Sequence, residues 1–452
     1  ENLYGVDLDA QAVEIASVNL MLKALKKEKR LPLIIDQNIK WGNSLIEGPE
    51  EELMKYFDDD WKNERPFTWR EEFTQIFKDG GFDVIIGNPP HGAKMSKNER
   101  VYYENHYQVA KGYKNTASLF LENSYKLLKE NGFLGFVIPK SLTFAQKWKI
   151  VRDYLVKNVQ ILTLADVSKA FPGVLLEQIA VIFRKNIEKY ETYKGVKLYW
   201  NESIETYTIP LSICSKMDNL PIHISNDSLN IFKKITKNAS KFKKVSKTFR
   251  GLPVQSKVVN VYQNNYEPLL RGADIQRYAN NPPNIFINKK ELEKKMEKID
   301  NLRKTKLVSQ RIIAHVLYPS DHIIIMSTLD TNGTLNVDTV ENTIIIDPKY
   351  DIKYLLALVN SSLVSWFTYL FIFNKAIRTM DFDNYYVCKI PFYPASKEEQ
   401  NEISLLVDKI IELKSKNNAI IGDFGRYWAP IVEDASLRYF YDKLSVQDTE
   451  IL

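Results

Sequence analysis

Short apolar strands alternate with amphipathic helices through the first two hundred residues, and this alternation constrains the fold more than any other feature. It is typical of an α/β fold in which helices cover both faces of a sheet. Asn131-Gly132 is interpreted as the stop signal of one helix. Strands are predicted over residues 3–8, 82–86, 132–138, 160–166 and 179–184, and helices over residues 10–25 and 118–129.

The pattern changes after residue 185, where short aromatic and β-branched segments alternate with turns such as Asn332-Gly333. This pattern predicts a second, mixed α+β domain. Helices are expected over the densely charged residues 289–303 and over residues 396–416, which begin with a capping-box-like sequence. At 452 residues the chain is too long for one typical domain. The predicted parts are a first domain (1–200), a connector (201–222), a second domain (223–430) and a C-terminal tail (431–452).

Charge and cysteine content narrow the function classes. The net charge is only +6, but residues 231–260 contain nine Lys or Arg and no Asp or Glu. Basic residues gathered in this way suit a polyanion better than a small substrate. Cys214 and Cys388 cannot form a disulfide framework, and no clustered Cys or His spacing indicates a metal site. We therefore expect a cytoplasmic protein without a structural metal.

One segment could be mistaken for a membrane span. Residues 354–373 contain no charged residue, but several Ser and Asn residues interrupt them, and the flanking charges show no basic asymmetry. The first residues already have the pattern of a folded strand and helix, so no cleavable signal peptide is expected. The sequence therefore predicts no membrane partner.

The motif with the clearest chemistry is an apolar strand that leads directly into Asn88-Pro89-Pro90-His91. In open α/β sheets, ligands bind at the carboxyl ends of strands. The exocyclic amino group of adenine is a poor nucleophile because its lone pair is delocalised into the ring. The Asn88 side-chain carbonyl and the Pro89 backbone carbonyl can accept hydrogen bonds from that group and direct its lone pair toward a methyl donor. The two prolines fix the geometry in advance.

The alternative is that Asn-Pro-Pro only punctuates a loop. The tripeptide alone favours that interpretation. The preceding strand and two further motifs favour the catalytic one.

The first further motif is Asp7, which ends a strand just before a helix, where a carboxylate can accept both ribose hydroxyls of a nucleoside cofactor. An Asp in this position is more often a helix N-cap, and Asp9 is interpreted as that cap. The second is Gly42 followed by Asn43, a turn with a polar side chain able to contact an adenine edge. On its own this is simply a turn. The candidate cofactor-binding residues are Asp7, Leu8, Asn43, Ser44 and Leu45.

Taken together, these residues resemble the gamma-class adenine-specific DNA methyltransferases, in particular the type IIG restriction-modification enzymes with a TaqI-like specificity domain. The resemblance covers nearly the whole chain. It implies an α/β, Rossmann-like methyltransferase sheet, truncated at its N-terminus, followed by an α+β DNA target-recognition domain. It also implies S-adenosyl-L-methionine as cofactor and double-stranded DNA as partner. The implied catalytic residues are Asn88, Pro89, Pro90 and His91.

The same resemblance extends to other segments. Residues 116–120 are similar to the segment that closes over the cofactor, and residues 135–139 to the strand that borders the target-base pocket. Phe144 and Trp148 are both candidates for a second aromatic that stacks, with His91, on an extruded base. Residues 268–275 and 354–361 are similar to segments of the family's specificity domain.

Two departures from the family accompany these matches. His91 stands where the family has Tyr or Phe, and its ring offers less area and can carry charge. The family's glycine-rich cofactor loop is expected before residue 1, and its nuclease domain, with Mg²⁺, further upstream. We therefore expect the chain as given to bind S-adenosylmethionine weakly or not at all.

Three functions stay open at this point. The first is adenine methylation fused to DNA cleavage, and the second is a stand-alone or phage-defence methyltransferase without a nuclease. The third is a catalytically degenerate DNA-binding subunit, which His91 slightly favours. For Arg271, a role on the target strand and a structural salt bridge are equally compatible with the sequence, and the basic stretch over 233–257 has a solvated surface as its alternative. The predicted DNA-binding residues are Lys243, Lys244, Lys247, Arg250, Arg271 and Arg277.

Overall fold

The computed structural model describes residues 2–24, 38–168, 176–186, 188, 190–199, 203–293, 296–318, 320–378 and 380–428. The chain forms two compact units. The first contains Glu1–Leu229 and Leu370–Ala376, and the second contains Asn230–Tyr369 and Ile377–Leu452.

The first unit is built on a six-stranded mixed sheet in the order β3-β4-β6-β5-β7-β8. Within it, β3 is parallel to β4 and β5 is parallel to β7, while the other neighbours are antiparallel. A separate parallel pair, β1 and β2, precedes this sheet in the chain. The strands are β1 (Gly5–Asp7), β2 (Ile39–Trp41), β3 (Phe82–Gly87), β4 (Leu128–Pro139), β5 (Gln160–Asp166), β6 (Gln178–Arg184), β7 (Thr192–Leu198) and β8 (Ile204–Pro210).

Helices connect these strands, and apolar side chains from the central strands form the core. Leu134, Ile138, Leu164, Val181 and Phe183 are all completely buried. The α/β expectation for the first half is therefore confirmed. The helices are α1 (Ala10–Ala24), α2 (Glu50–Phe57), α3 (Trp69–Glu72), α4 (Thr74–Lys78), α5 (Lys97–His106), α6 (Thr116–Leu127), α7 (Lys149–Asn158) and α8 (Leu211–Met217).

One helix stop signal was misinterpreted from the sequence. Asn131-Gly132 does not end α6, because α6 ends at Leu127 and the pair lies inside β4. Asn131 has a φ of 65°, and the pairing register with β3 shifts at this point, which indicates a bulge. A Cβ on Gly132 would lie 2.9 Å from the carbonyl oxygen of Phe82. The glycine permits a close approach of two strands, and this requirement leaves the same local sequence pattern as a helix end.

Seven residues of the second half of the chain pack into the first unit. Asn374 is 1% exposed, and its side-chain amide donates to Thr143 Oγ1 (2.8 Å) and to the carbonyl of Leu220 (3.1 Å). Its Oδ1 accepts a hydrogen bond from the backbone N–H of Ile222 (2.9 Å). One asparagine therefore joins three segments that are distant in sequence.

The second unit contains a four-stranded antiparallel sheet in the order β10-β20-β15-β18 and a three-stranded sheet in the order β14-β11-β19. Leu269, Ile287, Leu302 and Leu335 are completely buried in one of its hydrophobic clusters. The expected mixed α+β architecture is confirmed. The strands are β9 (Ser240–Lys241), β10 (Ser246–Arg250), β11 (Tyr266–Leu270), β12 (Ile275–Gln276), β13 (Ala279–Asn280), β14 (Ile285–Asn288), β15 (Lys306–Gln310), β16 (His315–Val316), β17 (His322–Ile323), β18 (Ser327–Asp330), β19 (Leu335–Asn336), β20 (Val340–Ile345) and β21 (Pro391–Phe392).

Two helices expected in the second half had different outcomes. The one over residues 396–416 is confirmed: it begins at Lys397, and Ser396 and Glu399 exchange the two hydrogen bonds of a capping box. A continuous helix over residues 289–303 is wrong, because a 3₁₀ turn and a short helix occupy the described part of this range. The helices are α9 (Asn226–Lys237), α10 (Met296–Leu302), α11 (Ile352–Asn360), α12 (Ser362–Phe367), α13 (Asn384–Val387) and α14 (Lys397–Trp428).

Most of the uncharged residues 354–373 lie in α11, α12 and a following π-helical turn over Thr368–Ile372. The helical axis bends by 56° between the two helical segments. In the described part of the chain, no single helix has the length and apolar character needed to cross a membrane, although this bent pair meets the two criteria jointly.

Candidate functional site

The Asn88-Pro89-Pro90-His91 turn follows directly after β3, at the carboxyl edge shared by the parallel strands β3 and β4. Asn88 and Pro90 are exposed, whereas Pro89 is buried. Within the described part of the chain, the Asn88 amide has no hydrogen-bond partner. The turn therefore presents a rigid backbone and an open carboxamide at the edge where ligands bind in such sheets.

The ring of His91 is half-buried, and the described residues give neither ring nitrogen a hydrogen-bond partner. Burial lowers the pKa of His91 below its ordinary value. The neutral ring is therefore favoured near neutral pH, which removes the charge that the sequence alone left open. A neutral imidazole can stack on a base without bringing a cation next to the reacting amine.

The Pro90 carbonyl accepts a hydrogen bond of 2.6 Å from Thr116 Oγ1. Thr116 is the first residue of α6, and Asn115 caps this helix by accepting from the backbone N–H of Ala117. Residues 116–120, which the resemblance associates with the cofactor, thus form the buried first turns of a helix attached to the Asn-Pro-Pro turn. This attachment has no local sequence pattern and was missed from the sequence.

The Asp7 side chain is exposed at the carboxyl end of β1, and its Oδ1 accepts from the backbone N–H of Asp9 (2.8 Å). Asp9 Oδ1 accepts from the backbone N–H of Gln11 (2.9 Å), which confirms Asp9 as the N-cap of α1. Leu8 is exposed, and its carbonyl accepts from the indole N–H of Trp41. The second carboxylate oxygen of Asp7 has no partner among the described residues.

The loop after β2 lies beside Asp7, because the backbone N–H of Gly42 donates to the Asp7 carbonyl (2.9 Å). A Cβ at residue 42 would lie 2.6 Å from Cδ2 of Phe67, so only glycine fits this packing. The Oδ1 of Asn43 accepts from the backbone N–H of Leu45 (3.1 Å). The structure therefore brings Asp7 and the 43–45 loop together at the carboxyl ends of the parallel strands β1 and β2.

The carbonyls of this loop are held by three side chains. The Ser44 carbonyl accepts from Asn123 Nδ2 (2.7 Å) and from the indole N–H of Trp69 (3.2 Å). The Leu45 carbonyl accepts from the hydroxyl of Tyr107 (2.9 Å). The loop is therefore fixed in shape before any ligand binds.

The two aromatic residues proposed to stack on a target base lie in the core instead. Phe144 and Trp148 are each 2% exposed. Phe144 contacts the ring of Phe373, and Trp148 contacts the ring of Tyr113, both edge to face. In this conformation neither ring has an open face for a base, so a stacking role for either requires a rearrangement.

A buried charge cluster lies where β4 and β5 end, and sequence patterns did not indicate it. Lys140 is 3% exposed, and its Nζ donates to Asp166 Oδ2 (2.8 Å) and to the Lys375 carbonyl (3.0 Å) and lies 3.3 Å from Glu177 Oε1. His223 Nε2 lies 2.8 Å from the same Asp166 oxygen.

Electrostatics in this cluster favour one protonation state. Burial alone raises the pKa of Asp166, but the Lys140 ammonium and the bond from His223 outweigh burial and hold that pKa well below its usual range. Burial lowers the pKa of His223 more than its bond to Asp166 raises it. A neutral imidazole and an ionised carboxylate are therefore favoured at neutral pH.

In the second unit, Lys243, Lys244 and Lys247 are exposed and form no ion pair within the described part of the chain. Lys247 lies on β10, an edge strand of the four-stranded sheet. Lysines on an edge strand also prevent pairing with a strand of another chain, so their position alone does not identify a ligand.

The predicted DNA-binding arginines have acceptors within the protein. Arg250 donates to the carboxylate and the carbonyl of Asp338, at 2.8 and 2.9 Å. Arg271 donates to Asn284 Oδ1 (2.6 Å), and its Nε lies 3.7 Å from Asp274. Arg277 donates to the Asn360 carbonyl (2.5 Å). Residues 231–260 contain no acid in the sequence. In the folded chain, however, Asp338, which lies 88 residues after Arg250, neutralises the charge of Arg250.

Within the described residues, no group of three or more His, Cys, Asp or Glu side chains is arranged to hold a metal ion. Cys214 is buried and Cys388 is partly buried, and both are free thiols.

Two family matches divide the chain in the same order as the two units. Residues 1–171 match the family described as Eco57I restriction-modification methylase, and residues 267–392 match the TaqI-like C-terminal specificity domain. The first match includes β1 to β5 and the Asn-Pro-Pro turn. The second includes most strands of the second unit.

Curated relatives match part of the chain. The chain is 31% identical over 169 residues to the type II restriction enzyme and methyltransferase RM.Eco57I of Escherichia coli, which covers 34% of this chain and 16% of that protein. It is 27% identical over 184 residues to the type II methyltransferase M.VspI of Vibrio sp. (strain 343), with 41% and 36% covered. The chain thus spans well under two thirds of the length of these relatives.

A solved structure is similar over both units. It is a nuclease-deletion mutant of the type ISP restriction-modification enzyme LlaGI in complex with a DNA substrate mimic. The TM-score is 0.51 at 11% identity, with 91% of this chain and 41% of that chain covered. At this identity the similarity concerns the fold alone.

These matches agree with the motifs at the carboxyl edge and with the order of the two units. The chain contains an Eco57I-like restriction-modification methylase domain over residues 1–171, followed by a TaqI-like C-terminal specificity domain over residues 267–392.

Proposed function

We propose that this chain is the methyl-transfer and target-recognition part of a type IIG restriction-modification enzyme, acting in the cytoplasm on adenine in a specific sequence of double-stranded DNA. The observation that carries the proposal is the open Asn88 carboxamide on a proline-fixed turn, connected through α6 to the preformed 43–45 loop.

The described residues fit the adenosine half of S-adenosyl-L-methionine. Among the described residues, one carboxylate oxygen of Asp7 has no partner and could accept from a ribose hydroxyl, and the amide nitrogen of Asn43 has none and could contact the adenine edge. Leu8, Ser44 and Leu45 would line the same pocket. When bound, this cofactor supplies an electrophilic methyl group.

The residues of the Asn-Pro-Pro turn hold the acceptor. In the proposed reaction, the carbonyl oxygens of Asn88 and Pro89 accept hydrogen bonds from the exocyclic amino group of an extruded adenine. These bonds orient the nitrogen lone pair away from the ring and hold the two protons of the amine. The neutral His91 ring provides a stacking face.

Double-stranded DNA is the proposed partner of the second unit, with Lys243, Lys244 and Lys247 at phosphates. We include Arg250, Arg271 and Arg277 as DNA contacts. Each would give up its hydrogen-bond acceptor within the protein and donate to DNA instead. DNA cleavage with Mg²⁺ belongs to it only if the natural protein carries a nuclease domain.

The test uses the full-length natural protein, DNA and S-adenosylmethionine with a labelled methyl group. We expect N6-methyladenine in digested DNA, and we expect Asn88→Ala to lower the rate by at least about a hundred-fold, because it removes an acceptor that acts on the reacting amine. DNA affinity should change little. Asn105→Ala is the matched control, because Asn105 is also exposed but bonds only within its own helix.

Retained methylation in Asn88→Ala would reject the catalytic assignment. A wild-type protein that binds a specific DNA sequence but transfers no methyl group would instead identify the degenerate DNA-binding subunit.

A further inference from the structure

Helix α6 connects the two parts of the proposed site through side chains on one face. Thr116 Oγ1 donates to the Pro90 carbonyl at 2.6 Å, and Asn123 Nδ2 donates to the Ser44 carbonyl at 2.7 Å. Thr116 is 7% exposed and Asn123 is 6% exposed, so both bonds are shielded from water. The first contact reaches the turn over residues 88–91, called the catalytic turn below. The second reaches the loop over residues 43–45, called the cofactor loop below.

The catalytic turn has few other attachments. Prolines have no backbone N–H, so Pro89 and Pro90 cannot donate to neighbouring backbone. Across residues 88–95, the bond from Thr116 is the one hydrogen bond found within the described part of the chain. The position of the turn relative to the sheet therefore depends on the end of β3, on packing and on this bond.

The cofactor loop has three such bonds, from Asn123, Trp69 and Tyr107. The bond from Asn123 is the one that originates on α6. Losing it leaves the Ser44 carbonyl with the longer bond from Trp69, so the loop would loosen but not detach.

The helix itself is rigidly placed. Residues 116 and 123 are seven apart, which is about two turns and about 10 Å along the axis, so their side chains share a face. Asn115 caps the helix, and the buried Glu122 accepts from the backbone N–H of Val109 (3.0 Å). A helix held in this way keeps a constant distance between its two polar contacts.

We propose that α6 is a spacer that sets the separation between the methyl acceptor and the methyl donor. Thr116 and Asn123 are positioning residues: Thr116 orients the turn that holds the adenine amine, and Asn123 orients the loop that holds the adenosyl group. This inference rests on the proposed function. It goes beyond it by assigning to two side chains the alignment on which a transfer between two bound reactants depends.

The two residues should affect different kinetic constants. Thr116→Val keeps the shape of the side chain but removes the donor, and we expect kcat to fall about ten-fold or more with little change in KM for cofactor. Thr116→Ser restores the hydroxyl and should restore kcat. Asn123→Ala should instead raise KM and the calorimetric Kd for S-adenosylmethionine several-fold, with a smaller change in kcat.

The experiment measures kcat, both KM values, cofactor affinity and thermal midpoint of the full-length protein and each variant. Ser124→Ala is the control, because Ser124 lies on the same helix and is 5% exposed, yet its hydroxyl has no hydrogen bond to the Asn-Pro-Pro turn or to the 43–45 loop within the described part of the chain. Whatever its effect on the thermal midpoint, it should not produce this kinetic split.

The spacer is overturned if Thr116→Val keeps kcat within two-fold of wild type, or if Thr116→Val and Asn123→Ala change the constants only in proportion to lost stability. A wild-type protein without methyl transfer would reject the proposed function separately. In that case cofactor affinity still tests the spacer, since Asn123→Ala must weaken binding and Ser124→Ala must not.

Discussion

Each unit contains a buried cluster of charged side chains, and the two clusters differ in how well their members are paired. In the first unit, Lys140 bonds to Asp166 at 2.8 Å, and the pKa of Asp166 stays low. In the second unit, Glu341 is 2% exposed, Arg311 lies 3.7 Å away, and Glu341 Oε1 has no hydrogen bond from the described residues. Burial, with Asp383 nearby, raises the pKa of Glu341 to about 7. Two buried carboxyl groups therefore differ in charge at neutral pH: Asp166 is ionised, whereas Glu341 is about half protonated.

The difference teaches that a nearby cation, together with hydrogen bonds to the charged form, decides whether a buried carboxylate stays ionised inside this protein. In a saturated cluster every buried charge has a partner, and such a cluster is expected to stabilise the fold at neutral pH. In an unsaturated cluster a buried acid lacks hydrogen bonds, and the cluster is expected to lower stability whenever that acid is charged.

The largest expected effect comes from breaking the saturated cluster. Lys140→Met leaves Asp166 and Glu177 buried without their cation, and we expect the free energy of unfolding to fall by about 3–5 kcal/mol. Lys149→Met is the matched control, because Lys149 also pairs with a carboxylate, Asp153, but both are largely exposed. Its expected cost is below about 1 kcal/mol. Urea unfolding at pH 7.5 measures both, and equal midpoints for the two variants would contradict the comparison.

The two clusters should also respond to pH in opposite directions. Folding lowers the pKa of His223 and that of Asp166, so their contribution is fully present above the unfolded pKa values. It is lost progressively as pH falls from about 6.5 for His223, and from about 4 for Asp166, toward the lowered folded pKa values. The pKa of Glu341 is raised by folding, so its contribution is present at low pH and is lost as pH rises from about 4.5 toward 7.

Glu341→Gln tests the unsaturated cluster. The neutral amide should make the second unit more stable than wild type by about 2 kcal/mol at pH 8, with a much smaller difference at pH 5. Glu297→Gln, at an exposed position, should change stability little at either pH. Urea midpoints at the two pH values give the measurement. A variant that is less stable than wild type at pH 8 would mean that Glu341 is ionised and paired.

A smaller effect concerns the basic surface of the second unit. Lys244 has no ion pair within the described part of the chain, whereas Arg250 is paired with Asp338. If both face DNA, Lys244→Ala should lower the slope of log affinity against log salt by about 0.9, and Arg250→Ala by less, because Asp338 already neutralises it. Lys243→Ala should behave as Lys244→Ala does. An unchanged slope in both lysine variants would remove this surface from the DNA interface.

Sequence patterns predicted the parts of this protein that depend on local order. The strand before Asn88, the cap at Asp9 and the start of α14 all follow from residues within four positions of each other. Sequence patterns failed where a contact with a residue far away in the chain decides the local structure. Asp338 approaches Arg250 from 88 residues away, and Asn374 packs into the first unit from 231 residues beyond Thr143. The spacing of apolar residues along the sequence carries no information about such contacts.

The same limit applies inside the candidate site. The Asn-Pro-Pro turn and Asp7 are recognisable because their chemistry needs particular residue types at particular places. Thr116 and Asn123 are recognisable only in three dimensions, because any donor of suitable length on that helix face would serve. For Phe144 and Trp148, an aromatic residue after a strand fits both a stacking role and a core role, and the structure places both rings in the core.

The smallest expected effect concerns His91. Like Glu341, it has buried polar atoms without a hydrogen-bond partner among the described residues, but the energetic cost has a different origin. Both of its ring nitrogens are buried without a partner among the described residues, yet burial keeps the ring neutral, so the cost is that of unmade hydrogen bonds and not of a charge. His91→Phe removes both nitrogens and keeps an aromatic face, and we expect it to raise the free energy of unfolding by up to about 1 kcal/mol.

His91→Tyr and His91→Phe should transfer methyl groups at least as fast as wild type, because a larger ring stacks better on an extruded adenine. The measurements are urea unfolding without ligand and methylation rates at saturating DNA. A strong loss of methylation with unchanged stability would show that the imidazole nitrogens are unpaired in the free protein because they bond to the substrate, and His91 would then belong to the chemistry of the site as well as to its shape.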